Sequence, residues 1–170
     1  MRCNTANAEE TLRLGRWIGG HLTPGAVVGL DGGLGAGKTW LAKGIVRGLG
    51  EYDQAFVKSP AYNLVHEYEL LGKHGPLSVF HMDFYRLDEL SPDDAMLFGE
   101  YFENPDAVFL VEWAQKFLGE LVRDYLSIQI GPDPARSGAD HREIRFQVKG
   151  ETRRYASLIE ELPRFANTHH

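Results

Sequence analysis

Short apolar runs separated by glycine set the rhythm of this chain. Ala26, Val27, Val28, Gly29 and Leu30 form a run that reads as a buried strand, and residues 107–111, Ala-Val-Phe-Leu-Val, form a second. Between them residues 64–70 alternate well enough for a strand, residues 72–75 (Gly-Lys-His-Gly) read as a turn, and residues 77–82 read as the return strand of a hairpin. Residues 125–130 and 143–148 are strands on either side of a loop rich in glycine and proline. Two segments carry the helical period instead. Leu14, Trp17, Ile18 and His21 recur at i, i+3, i+4 and i+7, behind an Asn7–Glu10 pair resembling a capping box. Residues 40–46 read as another helix, with Gly48 and Gly50 marking its end. Ser91 and Pro92 supply an N-cap and a first helical residue. Residues 158–162 form a helical fragment that Pro163 is expected to stop. A parallel βαβ unit followed by hairpins predicts an α/β fold, a mixed β-sheet flanked by helices, which the loop at residues 32–39 makes P-loop NTPase-like.

The junction between the first apolar strand and the second helix holds the chemistry. Residues 32–39 read Gly-Gly-Leu-Gly-Ala-Gly-Lys-Thr and fit G-x-x-x-x-G-K-[ST], in the strand–loop–helix context that a phosphate-binding loop requires. Glycines let successive backbone N–H groups curl around phosphate oxygens, and the helix N-terminus adds partial positive charge. Lys38 can reach the β- and γ-phosphates, and the Thr39 hydroxyl can ligate Mg²⁺. The candidate nucleotide-binding stretch is therefore Gly35, Ala36, Gly37, Lys38, Thr39 and Trp40, with ATP or ADP and Mg²⁺ as the expected ligands. A tight turn alone needs neither the lysine nor the threonine.

Such a loop needs an acidic group across the phosphates. Two apolar strands end in one: residues 79–82 lead into Asp83, and residues 108–111 lead into Glu112. Loops at the carboxyl ends of strands in open α/β sheets face the ligand crevice, which suits both. Asp83 and Glu112 are the candidate catalytic residues, and Thr39 with Glu112 the candidate metal ligands.

At 170 residues the chain reads as one domain. Its formal charge of -6 argues against gripping a nucleic-acid backbone unaided, though not against a basic partner. The lone Cys3 has no internal disulfide partner, the first residues lack an apolar signal core, and no apolar run approaches membrane-spanning length, so a cytoplasmic location without membrane attachment is expected. His66, His74 and His81 lack metal-site spacing, so zinc is not expected.

Four segments together resemble a known family. Residues 35–39 (Gly-Ala-Gly-Lys-Thr), 58–68 beginning Lys-Ser-Pro-Ala-Tyr, 81–87 (His-Met-Asp-Phe-Tyr-Arg-Leu) and 110–113 (Leu-Val-Glu-Trp) are similar, in order and spacing, to the bacterial ATPase family TsaE. The likeness covers roughly residues 8–130, and the last forty residues carry no motif. The resemblance implies a slow P-loop ATPase that works with TsaD-type and TsaB-type proteins to make threonylcarbamoyladenosine on tRNA, supporting turnover of the TsaD-type transferase and meeting tRNA only through the complex. It also implies that Ser59 to Tyr62 act as a switch-like loop, that Glu112 is a metal ligand, that Asp83 lies near the γ-phosphate, and that Trp113 lines the site. Adenine and ribose contacts are expected from Asn7 and Glu9 before the first helix and from Arg136 in the late loop.

This chain departs from the family pattern at Ala61, where a threonine is usual, and at Trp40, where a second hydroxyl residue is usual. Each change removes one hydrogen bond to nucleotide or metal, worth about 1.5–3 kcal/mol when charge-assisted, so weakened rather than abolished function is expected. The residues leave two other classes open. A small-molecule kinase would share the loop but would carry an arginine-rich lid. A non-catalytic nucleotide-binding adaptor would fit Ala61 and Trp40. A GTPase is disfavoured, since the chain has no Asn-Lys-x-Asp base-reading motif.

Overall fold

The computed structural model describes residues 1–51, 60, 64–136, 140–151 and 153–168. An eight-stranded mixed sheet forms its centre, built from β1 (Arg2–Thr5), β2 (Val27–Asp31), β3 (Gly50–Glu51), β4 (Val65–Gly72), β5 (Gly75–Asp83), β6 (Ala107–Glu112), β7 (Tyr125–Pro132) and β8 (Arg142–Lys149). The strand order is β1-β8-β7-β2-β6-β5-β4-β3. The four central strands β7, β2, β6 and β5 are parallel. The β4–β5 hairpin with β3, and the β7–β8 pair with β1, flank them antiparallel. Helices α1 (Ala8–His21), α2 (Lys38–Leu49), α3 (Pro92–Phe102), α4 (Leu118–Leu121) and α5 (Ala156–Thr168) complete the chain.

Burial explains the runs. Every residue of β2 and β6 is buried, because both sheet faces are covered. Alternate residues of β6 feed two cores: Val108 and Leu110 pack with α1, α2 and α5, while Ala107, Phe109 and Val111 pack with Phe84, Phe98 of α3 and Leu118 of α4. Asn7 caps α1 by accepting from the Glu10 N–H at 2.9 Å. Glu10 returns the bond to the Ala6 N–H at 2.7 Å, one residue earlier than a standard capping box.

Helices α1 and α2 meet backbone to backbone. Gly15 and Gly19 of α1 face Gly44 and Gly48 of α2. A Cβ built on Gly19 would lie 2.1 Å from the Ile45 carbonyl oxygen, and one on Gly48 would lie 2.1 Å from that of Arg16. Gly48 therefore does not mark the end of α2, as its spacing suggests. It sits inside the helix, and Gly50 ends it. A second correction concerns Pro163, which lies within α5 rather than at its end. Its ring removes one helical N–H, but Leu158 and Leu162 are fully buried and Phe165 stacks on Trp17 of α1 with centroids 4.9 Å apart, so packing carries the helix through. The sequence also hides β1, whose four residues pair with β8, and the short α4.

The glycine contact generates a stability prediction. Gly48→Ala should destabilise the protein by about 1–3 kcal/mol, since the new methyl meets backbone that cannot rotate away. Tm should then fall by about 2–4 °C per kcal/mol. Gly20→Ala, at an exposed position of α1 with nothing within 4 Å of the added methyl, should leave Tm unchanged or raise it. Equal effects of the two substitutions in thermal melts would refute a backbone-contact role.

Candidate nucleotide site

The carboxyl ends of the parallel strands gather the chemistry. The chain leaves β2 at Asp31, turns through Gly35 (φ 73°) and Gly37 (φ 110°), and enters α2 at Lys38. A left-handed φ of this kind is open to glycine and strained for other residues, which is why the loop is glycine-rich. Register alignment does the rest. Glu112 is the partner of Leu30 on one side and of Asp83 on the other, so both carboxylates end their strands beside the loop. A cavity of about 470 Å³ lies there, lined by residues 34–40 and by Asp83, Tyr85, Arg86, Glu112 and Trp113.

The side chains inside it are tied together. The Thr39 hydroxyl donates to the Glu112 carboxylate, at 3.1 Å from Oε1 and 3.4 Å from Oε2. His81 Nε2 lies 2.9 Å from Glu112 Oε1, and its Nδ1 has no hydrogen-bond partner among the described residues. With Glu112 ionised, Nε2 carries the proton and donates it, so His81 fixes the carboxylate from behind. Asp83 Oδ1 accepts from the Tyr85 N–H at 2.9 Å, and Asp83's own N–H donates to the Leu64 carbonyl at 3.0 Å. Lys38 Nζ donates to the carbonyls of Gly32 (2.9 Å) and Gly33 (3.0 Å) and lies 4.1 Å from the centre of the Trp113 ring. Trp113 itself is held at φ 58°, an uncommon conformation for a bulky residue.

Electrostatics follow from burial. Asp31, Lys38, Asp83 and Glu112 are each at most 6% exposed. Burial pushes the Lys38 ammonium below its ordinary pKa, against the attraction of Glu112, Asp83 and Asp31. Burial raises the Asp31 carboxyl, against the Gln115 N–H that donates to it at 2.8 Å and the pull of Lys38. The named carboxylates outnumber the lysine, and their oxygens with the Thr39 hydroxyl are the hard donors that Mg²⁺ takes. The donor set therefore fits that ion, with Thr39 and Glu112 as the adjacent pair.

Of the residues singled out from sequence, Gly35, Ala36, Gly37, Lys38, Thr39, Trp40, Asp83, Glu112 and Trp113 all line the cavity. Asn7, Glu9 and Arg136 stand apart from it. All are exposed at the same edge of the sheet; Asn7 caps α1, and Arg136 Nε lies 3.9 Å from Asp133. The side chain of Asn4 donates to Asp133 at 3.0 Å and so joins the two segments that carry them. The switch-like residues Ser59, Ala61 and Tyr62 lie outside the described residues. Sequence reading passed over Asp31, the bond from His81 to Glu112, and Lys116. Lys116 donates to the carbonyls of Tyr85 (2.8 Å) and Leu87 (2.6 Å) and thereby pins the loop after Asp83.

The raised Asp31 pKa yields a signed prediction. The unfolded chain releases this proton near the ordinary value of 3.8, and the folded one at higher pH. Stability is therefore lost as pH rises from that value through the folded pKa. Asp31→Asn, which keeps the acceptor for Gln115, should raise Tm without nucleotide at pH 7, and the gain should vanish below about pH 4. A variant that melts at or below the wild-type temperature at pH 7 would contradict this.

Comparison with known proteins agrees with the geometry. The family model described as "Threonylcarbamoyl adenosine biosynthesis protein TsaE" matches residues 5–144. The tRNA threonylcarbamoyladenosine biosynthesis protein TsaE of Bacillus subtilis (strain 168) is 38% identical over 167 residues, covering 98% of this chain and 96% of that protein. The protein of the same name from Treponema pallidum is 35% identical over 130 residues, 76% of this chain and 90% of its own length. The crystal structure of Bacillus subtilis YdiB superposes with a TM-score of 0.71 at 36% identity, covering 97% of this chain and 95% of that one. With the family model spanning most of its length, the chain belongs to the TsaE family.

Proposed function

We propose that this protein binds ATP with Mg²⁺ at residues 35–40, hydrolyses it slowly, and in doing so supports turnover of a TsaD-type transferase in the formation of threonylcarbamoyladenosine on tRNA. A TsaB-type protein is the second partner, and tRNA is met only through that complex. The observation that carries the reading is the Thr39–Glu112 contact at 3.1 Å on the wall of a cavity floored by a phosphate-binding loop. Family membership supplies the pathway.

Each residue then has a task. Backbone N–H groups of Gly35 to Lys38 take the phosphate oxygens. Lys38, now bonded to the loop's own carbonyls, turns to the β- and γ-phosphates, where its charge is stabilised by the anion it meets. Thr39 and Glu112 would hold Mg²⁺, which when bound neutralises charge on the phosphates. His81 keeps the Glu112 carboxylate aimed. Asp83 orients the attacking water; as its oxygen adds to the γ-phosphorus, the bond from that phosphorus to the β-phosphate oxygen breaks, the water's proton passes to a phosphate oxygen, and ADP and inorganic phosphate leave. Trp113 and Tyr85, with ring centroids 5.0 Å apart, form one wall of the cavity.

Two measurements test the proposal. At 100 times its dissociation constant, Mg-ADP should stabilise the fold by about 2.7 kcal/mol, and Lys38→Ala should abolish the rise in Tm. A wild-type melt unmoved by millimolar Mg-ADP would remove nucleotide binding. In a reconstitution with TsaD- and TsaB-type proteins, tRNA and ATP, Glu112→Gln should cut ATP turnover at least about a hundredfold, the scale of losing a group that acts on the transition state. Its Tm without nucleotide should change far less. Turnover that survived both Glu112→Gln and Asp83→Asn would refute the roles assigned to these carboxylates.

A further inference from the structure

Outside the cavity, a single arginine holds the phosphate-binding loop from behind. Arg142 opens β8, in register with Thr5 of β1 and Pro132 of β7, at the same edge of the sheet as the loop. Its Nε donates to the carbonyl oxygen of Ala36 at 2.9 Å, and its Nη1 donates to the His141 carbonyl at 3.1 Å. Arg142 is half-buried and is not among the residues lining the cavity, so the Ala36 carbonyl points away from the space where phosphate would sit.

The consequence lies in the next N–H. A peptide bond is planar, and in the trans form its C=O and N–H point in opposite directions. The described residues contain no cis peptide. Fixing the Ala36 carbonyl outward therefore fixes the Gly37 N–H inward, toward the cavity. Neighbouring groups have their own partners, the Ala36 N–H on the Gly33 carbonyl at 3.1 Å and the Gly37 carbonyl on the Leu41 N–H at 3.0 Å, but with glycine at φ 110° the peptide between them has a wide choice of tilt unless something holds its own carbonyl. A guanidinium does so with a charge-assisted bond, stronger than a neutral donor would make.

We infer that Arg142 is a positioning residue for nucleotide binding, which aims the Gly37 N–H at a phosphate oxygen by anchoring the Ala36 carbonyl. The inference rests on the nucleotide-binding reading above. It adds a residue from the far antiparallel flank of the sheet, more than a hundred positions from the loop in sequence. No step of hydrolysis is assigned to it. Arg142 acts through the backbone, and its effect belongs to affinity.

The test uses the whole chain, Mg-ADP as the probe, and the Gly37 amide as the reporter. Wild type, Arg142→Gln and Arg142→Lys are titrated by calorimetry, and the Gly37 amide is followed in ¹⁵N–¹H spectra with and without saturating Mg-ADP. Arg142→Gln should bind about tenfold more weakly, and its Gly37 amide should shift less on binding than in the wild type. Arg142→Lys, which keeps the charge, should recover part of both. If Arg142→Gln does not fold, the same two readouts on Arg142→Lys decide, with values short of wild type expected. Unchanged affinity overturns the inference. So does weaker binding with a wild-type Gly37 shift, since that would mean Arg142 touches the nucleotide directly or acts only on the fold. Failure of the wild type itself to bind Mg-ADP overturns the nucleotide-binding reading instead, and is recognised before any variant is compared.

Discussion

Charge held out of water is the constraint around which this molecule is arranged. Asp31, Asp83 and Glu112 share the carboxyl edge of the sheet with Lys38, and none of the four is more than 6% exposed. Burying an ionised carboxylate is costly unless it is paired or hydrogen-bonded. Here each has specific partners: the Gln115 N–H for Asp31, the Tyr85 N–H for Asp83, and Thr39 with His81 for Glu112. Those partners satisfy the hydrogen bonds but leave three carboxyl groups against two cationic side chains, Lys38 and, on the cavity wall, Arg86. A fold selected for stability alone gains nothing from that excess. A site that receives a divalent cation together with a polyphosphate does, because the cation meets acid groups already stripped of solvent and already aimed.

Holding such groups requires a frame that does not yield, and the frame is made from small residues. The close approach of α1 to α2 through Gly15, Gly19, Gly44 and Gly48 sets the angle at which α2 leaves the loop. The N-terminus of α2 follows directly on the glycine loop, so a packing contact two turns away bears on the direction of the loop's N–H groups. On the opposite face, Gly29 of β2 allows Ala114 and Leu118 to close over the strand; a Cβ there would lie 2.7 Å from that of Ala114. That closeness brings the segment after Glu112, with Trp113 and Gln115, over Lys38 and Asp31. Glycine thus appears in this chain as spacing as well as turn chemistry, and the two uses converge on the same loop.

The contrast between what was legible in the sequence and what was not follows from range. The glycine loop between β2 and α2, the strands ending in Asp83 and Glu112, the hairpin at residues 72–75 and the Ser91–Pro92 helix start all declare themselves through neighbours a few positions apart. The mixed character of the sheet was legible for the same reason, since a βαβ unit at the front of the chain implies parallel strands and the hairpins after it imply antiparallel ones. Contacts between distant residues were not legible. Gly48 looked like a terminator because glycine usually is one near a helix end, and only the backbone of Arg16 across the interface explains it. Pro163 looked like a stop because local propensity says so, and the stacking of Phe165 on Trp17 overrides it. Strand β1 is too short to show a period and exists because β8 offers it an edge. Arg142 carried no signal at all, since its partner lies in a loop 106 positions earlier.

The division of the sheet into a parallel centre and antiparallel flanks has a functional logic of its own. Parallel strands direct all their carboxyl ends to one side, and that side concentrates Asp31, Asp83 and Glu112 next to the loop. Antiparallel flanks cannot do this with every strand, but they deliver the first residues of a returning strand to the same edge, which is where β8 presents Arg142. They also bring the end of β1 and the cap of α1 there, with Asn4 bonded to Asp133 at 3.0 Å. Strand direction thus places different groups around the loop: Asp31, Asp83 and Glu112 end parallel strands on one side of it, and Arg142 begins an antiparallel strand on the other. Lys38 is held by the loop's own carbonyls, its ammonium pKa lowered by burial. Charged donors thus hold three carbonyls of one short loop, those of Gly32 and Gly33 from Lys38 and that of Ala36 from Arg142, and a backbone tied at both sides has few ways to rearrange.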